Sequence, residues 1–371
     1  MKLLIEKNIL LESLTNVMRA ISPRNIIPIL NGVMFDLQDD GLYLTASDSD
    51  LTIRNFIPKD KIKNIVETGK IIIQSKYLLE IIRKLPNTDI NIEVLDGLKI
   101  IISTENTIYN LNCLNTDDYP NISLDEVENP IVINSSTMKQ IINQTLFAVS
   151  TQESRPLLTG INFKINGNIL ECVATDSYRL AKKTIDLKDN YPSYNIVIPG
   201  HNINELDKLL TDEEDIEIHL FDNKVLFKYK NYLFQSSLLN GTYPNTNSFI
   251  PDEFEIIITT SLNDYYSAID RAALLTQNKD KNIIKMDTEN NELTITSSSN
   301  EIGKSEEKVI INKNTDKNIS ISFSAKYMLD ALKTFNEEDL IILLNNDSKP
   351  IILKSAKDES LIQLILPIKT Y

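Results

Sequence analysis

One ordered set of patterns occurs three times along this chain, and any fold must accommodate all three copies. In the first copy the apolar residues Leu10, Leu14, Val17, Met18 and Ile21 fall on one helical stripe. Met138, Ile141, Ile142, Leu146 and Val149 fall on an equivalent stripe, and so do Leu262, Tyr265, Tyr266, Ile269 and Ala273. Each stripe is the buried face of an amphipathic helix. A second helix follows in every copy: "SKYLLEIIRKL" from Ser75, "NINELDKLL" from Asn202 and "SAKYMLDALKTF" from Ser324. Each opens on a side chain whose oxygen accepts from an orphan backbone N–H, so all three are read as N-caps. Asn202 with Glu205 has the form of a capping box.

Between the helices lie alternating segments such as "INIEVLDGLKIIIS", "IEIHLFDNKVLFKYK" and "LIILLNNDSKPIILKS". Period-two alternation predicts half-buried antiparallel strands, and "LDG", "FDNK" and "NNDSK" supply hairpin turns. Two further landmarks keep register. Asp48 in "LTASDSDL" and Asp176 in "VATDSYRL" are 128 positions apart, and Tyr119-Pro120 and Tyr243-Pro244 close the first two copies. The expected fold class is α+β, with three repeated domains, each two helices packed on antiparallel sheet. The boundaries fall in the joints "DEVENP" and "IPDEF", giving domains 1–127, 128–252 and 253–371.

Composition narrows the functional classes. The formal charge of −14 argues against a broadly basic nucleic-acid-binding surface, although it does not say where charges sit. With two histidines and nine glycines, there is no zinc-spaced Cys/His cluster, dinucleotide fingerprint or Walker loop. No cofactor and no metal is expected. Cys113 and Cys172 read as buried free thiols. No apolar run is long enough to span a membrane and no signal peptide opens the chain, so a cytoplasmic protein is expected.

Four stretches in order resemble one family, the bacterial DNA polymerase III beta subunit: "RNIIPILNGVMFDL", "SRPLLTGINFKI…LECVATDSYRLA", "RAALL" at 271–275 and "LILPIKTY". The resemblance spans the whole chain. It implies the DNA clamp fold, closed as a head-to-tail homodimer into a ring with helices lining the hole. It implies no catalysis. The ring would encircle double-stranded DNA without sequence preference and act as a processivity factor in DNA replication. It would tether the DNA polymerase III catalytic subunit, the clamp loader and other proteins carrying a clamp-binding motif.

The resemblance also implies a peptide-binding groove. Its wall would be Leu158, Thr175, Ser177, Tyr178, Arg179 and Leu180, with Pro244 and Phe249 on one flank. Ser324, Tyr327, Pro350, Leu364, Leu366, Pro367 and Ile368 would complete it. Ser177-Tyr178 stands where many members have Gly-His or Ser-His, Ser248 replaces an expected Arg, and Lys369 a frequent Arg. Arg24 and Gln152 fall at positions like family DNA contacts, and Pro156-Leu157 replaces an aromatic pair nearby. Other helix-borne cations (Arg19, Arg83, Lys84, Lys139, Lys208, Arg271, Lys326, Lys333) are equally well read as solvated faces. At the subunit boundary, Leu274 and Leu275 would meet Tyr109 and Leu111, although core packing would explain the same alternation.

Two rival readings stand beside this one. Asp176, Ser177, Tyr178 and Arg179 could form an active site, but no general base lies in the local sequence to activate the serine. For Asp176 the preferred reading is a carboxylate that ties a turn by accepting backbone N–H groups. The chain could also be a three-domain scaffold that does not act on DNA.

Overall fold

The computed structural model describes the chain except for residues 23, 24, 26, 96, 97, 212, 277–281, 370 and 371. Among the described residues there are six α-helices, two per repeat: α1 (Lys7–Val17), α2 (Ser75–Lys84), α3 (Ser135–Thr145), α4 (Gly200–Leu209), α5 (Leu262–Ala273) and α6 (Ala325–Leu332). The predicted stripes supply their buried faces. Leu10, Leu14 and Val17 are inaccessible on α1, Met138, Ile141 and Ile142 on α3, and Tyr265, Ile269 and Ala273 on α5. Met18 leaves α1 for a short 3₁₀ turn.

Of the predicted caps only Ser324 caps: its hydroxyl accepts from the Tyr327 N–H at 3.4 Å. Ser75 is already helical, and the boundary residue Gln74 makes no side-chain cap. Gln74 still pairs with Gly32, so the strand runs directly into the helix and the end of the ladder sets the start. Asn202 lies inside α4, and its amide donates to Ser236 Oγ at 2.8 Å and to the Asp50 carbonyl at 3.4 Å. Glu205 is drawn away from the helix start by Lys208 at 2.6 Å and Arg19 at 3.5 Å, so no capping box forms.

The chain divides into two compact units, 1–138 with 201–238 and 139–200 with 239–371. In the first unit a thirteen-stranded antiparallel sheet forms because the middle repeat adds its strands to those of the first. Tyr232–Ser237 pairs with Leu51–Pro58, placing Phe234 opposite Ile53. In the second unit the middle repeat contributes a long hairpin, Gly160–Thr175 with Arg179–Pro199. That hairpin joins a seven-stranded sheet through Leu361–Ile365, with Leu180 opposite Leu364. A separate four-stranded sheet carries Gly303–Ile310 at its edge. The sequence repeat and the compact unit therefore differ: sheets continue across the joints between repeats, and burial follows the sheets.

Several strand edges are left open among the described residues, including those of Thr107–Leu114 and Gly303–Ile310. Residues 107–112 of the strand Thr107–Leu114 have a strand partner on one side only, and so has Gly303–Ile310. Such edges offer unpaired backbone donors and acceptors to another chain. Both carry exposed apolar side chains, Ile108 at 68 % and Ile310 at 87 %. Cys113 and Cys172 are free and buried. Burial pushes the Cys113 thiol up to about 11 and holds that of Cys172 well above its ordinary value, so both are poor nucleophiles.

Candidate functional site

The hairpin turn at 175–179 is tied as its acidic residue predicts. Asp176 Oδ1 accepts from the N–H groups of Tyr178 at 2.9 Å and Arg179 at 3.0 Å. Asp48 does the same in the first repeat, accepting from Asp50 at 3.1 Å and Leu51 at 2.8 Å. The residue after each aspartate, Ser49 or Ser177, has a left-handed backbone with φ of 84° or 78°. Before each turn a hydroxyl, Ser47 or Thr175, accepts the N–H two residues on. The duplication is thus legible in individual hydrogen bonds, and it assigns Asp176 to structure.

Arg179 is the post on which this turn stands. Its guanidinium is nearly enclosed, with Nε 3.1 Å from Asp176 and Nη1 2.8 Å from Asp330 on α6. It also lies over the rings of Tyr327 at 4.4 Å and Phe147 at 5.2 Å. A partner removed from such a site leaves a largely desolvated charge behind. Arg179→Met is expected to destabilise the fold by about 3 kcal/mol. The midpoint of urea denaturation checks this; a shift no larger than that of a surface substitution would remove Arg179 from this role.

Beside the turn is a cavity of about 740 Å³. Its floor includes Leu158, Leu180 and Leu364, which belong to an apolar cluster with Val173, Val197, Tyr243, Leu343 and Ile352. The rim carries exposed apolar and aromatic groups: Tyr178 (60 % exposed), Phe249 (47 %) and Leu366 (38 %). The C-terminal segment is fixed beside it, because the Leu366 N–H donates to the Tyr178 carbonyl at 2.9 Å. Polar groups are sparse and mostly satisfied. Arg155 Nη1 donates to Ser177 Oγ at 3.0 Å, and Thr175 Oγ1 donates to the Arg179 carbonyl at 2.6 Å. A guanidinium cannot accept a proton, so this contact does not activate Ser177 as a nucleophile.

The cavity brings together Leu158, Thr175, Ser177, Tyr178, Arg179, Leu180, Pro244, Phe249, Pro350, Leu364 and Leu366. Ser324, Tyr327, Pro367 and Ile368 lie outside its lining. Ser324 is occupied in capping α6, Tyr327 stacks on Arg179, and the Ile368 N–H donates to the Ser322 carbonyl at 2.7 Å. Arg155, Asn240 and Thr242 line the cavity without having been singled out, and so do Pro156 and Leu157, which the resemblance had set beside the DNA contacts. A mixed run such as "SRPLL" carries no periodic signal that would place it at a rim.

Gln152 is exposed, while Arg24 lies outside the described residues. Of the other helix-borne cations, Arg83 pairs with Glu80, and Arg271 with Glu307 at 2.7 Å. Leu274, 61 % exposed, and the half-buried Leu275 follow α5 directly. Tyr109 and Leu111 lie half-buried on the open edge of Thr107–Leu114.

Glu126, Glu217 and His219 also converge, as metal ligands can. Their chemistry does not suit a cation. The Val127 N–H donates to His219 Nδ1 at 3.0 Å, which leaves the proton of the neutral ring on Nε2. The Lys228 ammonium already lies 2.7 Å from Glu126 and 3.7 Å from Glu217.

Three helix-pair-on-sheet repeats that continue one another's sheets define a clamp-type fold. The chain belongs to the DNA polymerase III beta subunit family: residues 1–123, 132–245 and 247–369 match its N-terminal, central and C-terminal domains. It is 41 % identical over 379 aligned residues to the beta sliding clamp of Bacillus subtilis, and 39 % identical over 376 to that of Staphylococcus epidermidis. Both alignments cover the whole of each chain. The crystal structures of the DNA polymerase sliding clamp from Bacillus subtilis and the DNA polymerase III beta chain from Streptococcus pneumoniae each superpose with a TM-score of 0.96. They are 40 % and 32 % identical to this chain, again over full length.

Proposed function

We propose that this chain is a non-catalytic sliding clamp of the cytoplasm, with domains 1–127, 128–252 and 253–371. Two copies close head to tail into a ring around duplex DNA. Retention then depends on topology, and weak sequence-independent contacts suffice because tight ones would stop sliding. Arg24 and Gln152 are assigned to the DNA. Leu274 and Leu275 of one copy meet Tyr109 and Leu111 of the other, so the open edges of Thr107–Leu114 and Gly303–Ile310 pair.

The apolar cavity beside the 175–179 turn takes the short Gln-Leu-Phe-type peptide of the replicative polymerase, the clamp loader and other partners. The observation that carries this reading is the cavity itself. Its apolar floor and exposed aromatic rim are the surface a monomeric protein avoids unless it docks something. Ser324, Tyr327, Pro367 and Ile368 complete the groove beyond the cavity lining, Ser324 by capping α6 and Tyr327 by holding Arg179.

Retention on DNA tests the ring. After loading onto a nicked circular plasmid, the protein should stay bound through gel filtration and be released when the plasmid is linearised. Equal loss from both forms would favour a scaffold that does not encircle DNA.

A further inference from the structure

The first compact unit holds a second cavity, of about 570 Å³, and its chemistry is the opposite of the first. Its floor is the outer face of the strands Gly32–Leu37, Gly41–Ser47 and Leu51–Pro58, carrying Asp36, Tyr43, Thr45 and Arg54. The segment 116–122 supplies its other wall, with Tyr119 and Pro120.

Its charges are unevenly satisfied. Asp36 is held by Lys70 at 2.8 Å and by the Gln38 amide at 3.2 Å, and Asp40 accepts the Tyr43 hydroxyl at 2.7 Å. Arg54 has one hydrogen bond among the described residues, from Nε to Thr45 Oγ1 at 3.0 Å. Among the described residues no carboxylate lies within ion-pair distance of its guanidinium, and Asp36 acts on it only at longer range across the cavity. Burial pulls its pKa below the usual arginine value. Among the described residues the buried Tyr119 hydroxyl has no hydrogen-bond partner, and burial pushes it up to about 12 against the opposing charge of Arg54. Arg54 is only partly buried, so its terminal N–H groups can be reached by a ligand from solvent, while the buried phenol is costly to maintain with nothing to receive its hydrogen bond.

The repeat shows what is missing. The positions 128 residues further on are Val173 for Thr45 and Lys182 for Arg54, and Val173 and Lys182 face each other as Thr45 and Arg54 do. Lys182 has a built-in partner, the carboxylate of Glu171. The residue in the Glu171 position of the first repeat is Tyr43. One scaffold therefore carries the cation twice and the carboxylate once.

We propose that this cavity is a carboxylate-binding site, in which an Asp or Glu side chain of a docking polypeptide takes the place that Glu171 fills in the second repeat. Two carboxylate oxygens match the terminal N–H groups of Arg54, with the Tyr119 hydroxyl as a further donor. The site does not depend on the peptide groove.

The test uses the full-length protein with arginine side chains labelled with ¹⁵N, the Arg54 Nε resonance being assigned by its loss in Arg54→Gln. The probes are N-acetylglutamate α-amide, its neutral isostere N-acetylglutamine amide, and inorganic phosphate. The glutamate probe should shift the Arg54 signal with a Kd of about 1–10 mM, and the glutamine probe should not. Tyr119→Phe should weaken binding by about threefold to tenfold. Tyr43→Glu supplies the internal carboxylate and should abolish binding while leaving the melting temperature unchanged or raised. Equal shifts from the glutamine probe, unchanged binding in folded Tyr43→Glu, or binding of phosphate alone would each overturn the assignment.

Discussion

A chain ending at Ile365 is expected to lose more than about 100-fold in affinity for a Gln-Leu-Phe peptide while remaining folded and dimeric. The strand Leu361–Ile365 keeps its partners in this variant, since its register with Arg179–Lys183 ends at Ile365. Three things go. The Leu366 side chain leaves the rim, the Tyr178 carbonyl loses the N–H that fixes the turn against the C-terminal segment, and the Ser322 carbonyl loses the Ile368 N–H. Burying a leucine against a ligand is worth about 1.5–3 kcal/mol. A socket wall free to move costs the ligand further ordering free energy. Leu366→Ala separates the terms: it removes the side chain, keeps the backbone bond, and should cost about 10- to 30-fold. Fluorescence anisotropy with a labelled peptide measures both variants. A truncated chain that binds within threefold of the full-length protein would remove the C-terminal segment from the site.

The fold was legible in the sequence wherever one residue type had one structural consequence. Apolar stripes placed the first helix of each repeat, recurring polar openings the second, and Asp176 announced a turn that Asp48 had already drawn. Capping was legible only for α6, because at α2 the sheet ladder ends the strand and at α4 tertiary bonds recruit Asn202. Neither effect is local. The middle repeat's contribution of strands to both neighbours was equally hidden, since pairing such as Ile53 with Phe234 leaves no mark in either segment alone. The groove residues were named through resemblance. Periodicity could not have separated Leu158 at the cavity from an ordinary core leucine, because both are buried. Tyr178 differs: a large aromatic residue that is mostly exposed on a rigid turn is a physical anomaly that only the structure displays. Arg54 is a similar case. In sequence it is one more outward residue of an alternating strand, and only its lack of a carboxylate, set against Lys182, makes it informative.

Replacing both Leu274 and Leu275 with aspartate should convert the proposed dimer into a monomer of 42.2 kDa, with peptide binding retained. The two leucines follow α5, which packs on the sheet whose open edge is Gly303–Ile310. In the proposed ring that edge adds to residues 107–112 of the other copy, and the leucines close over Tyr109 and Leu111. A head-to-tail contact that closes after two copies is made twice, so each substitution acts at both interfaces. Two buried leucines contribute about 3–6 kcal/mol per interface, and aspartates placed there would have to be desolvated without partners. Together these terms weaken each interface by more than about 10³-fold. The peptide groove contains neither residue, so its affinity serves as the control for folding. Mass photometry at nanomolar concentration separates one subunit from two. A variant that stays at twice 42.2 kDa while binding peptide normally would move the subunit boundary away from Leu274 and Leu275.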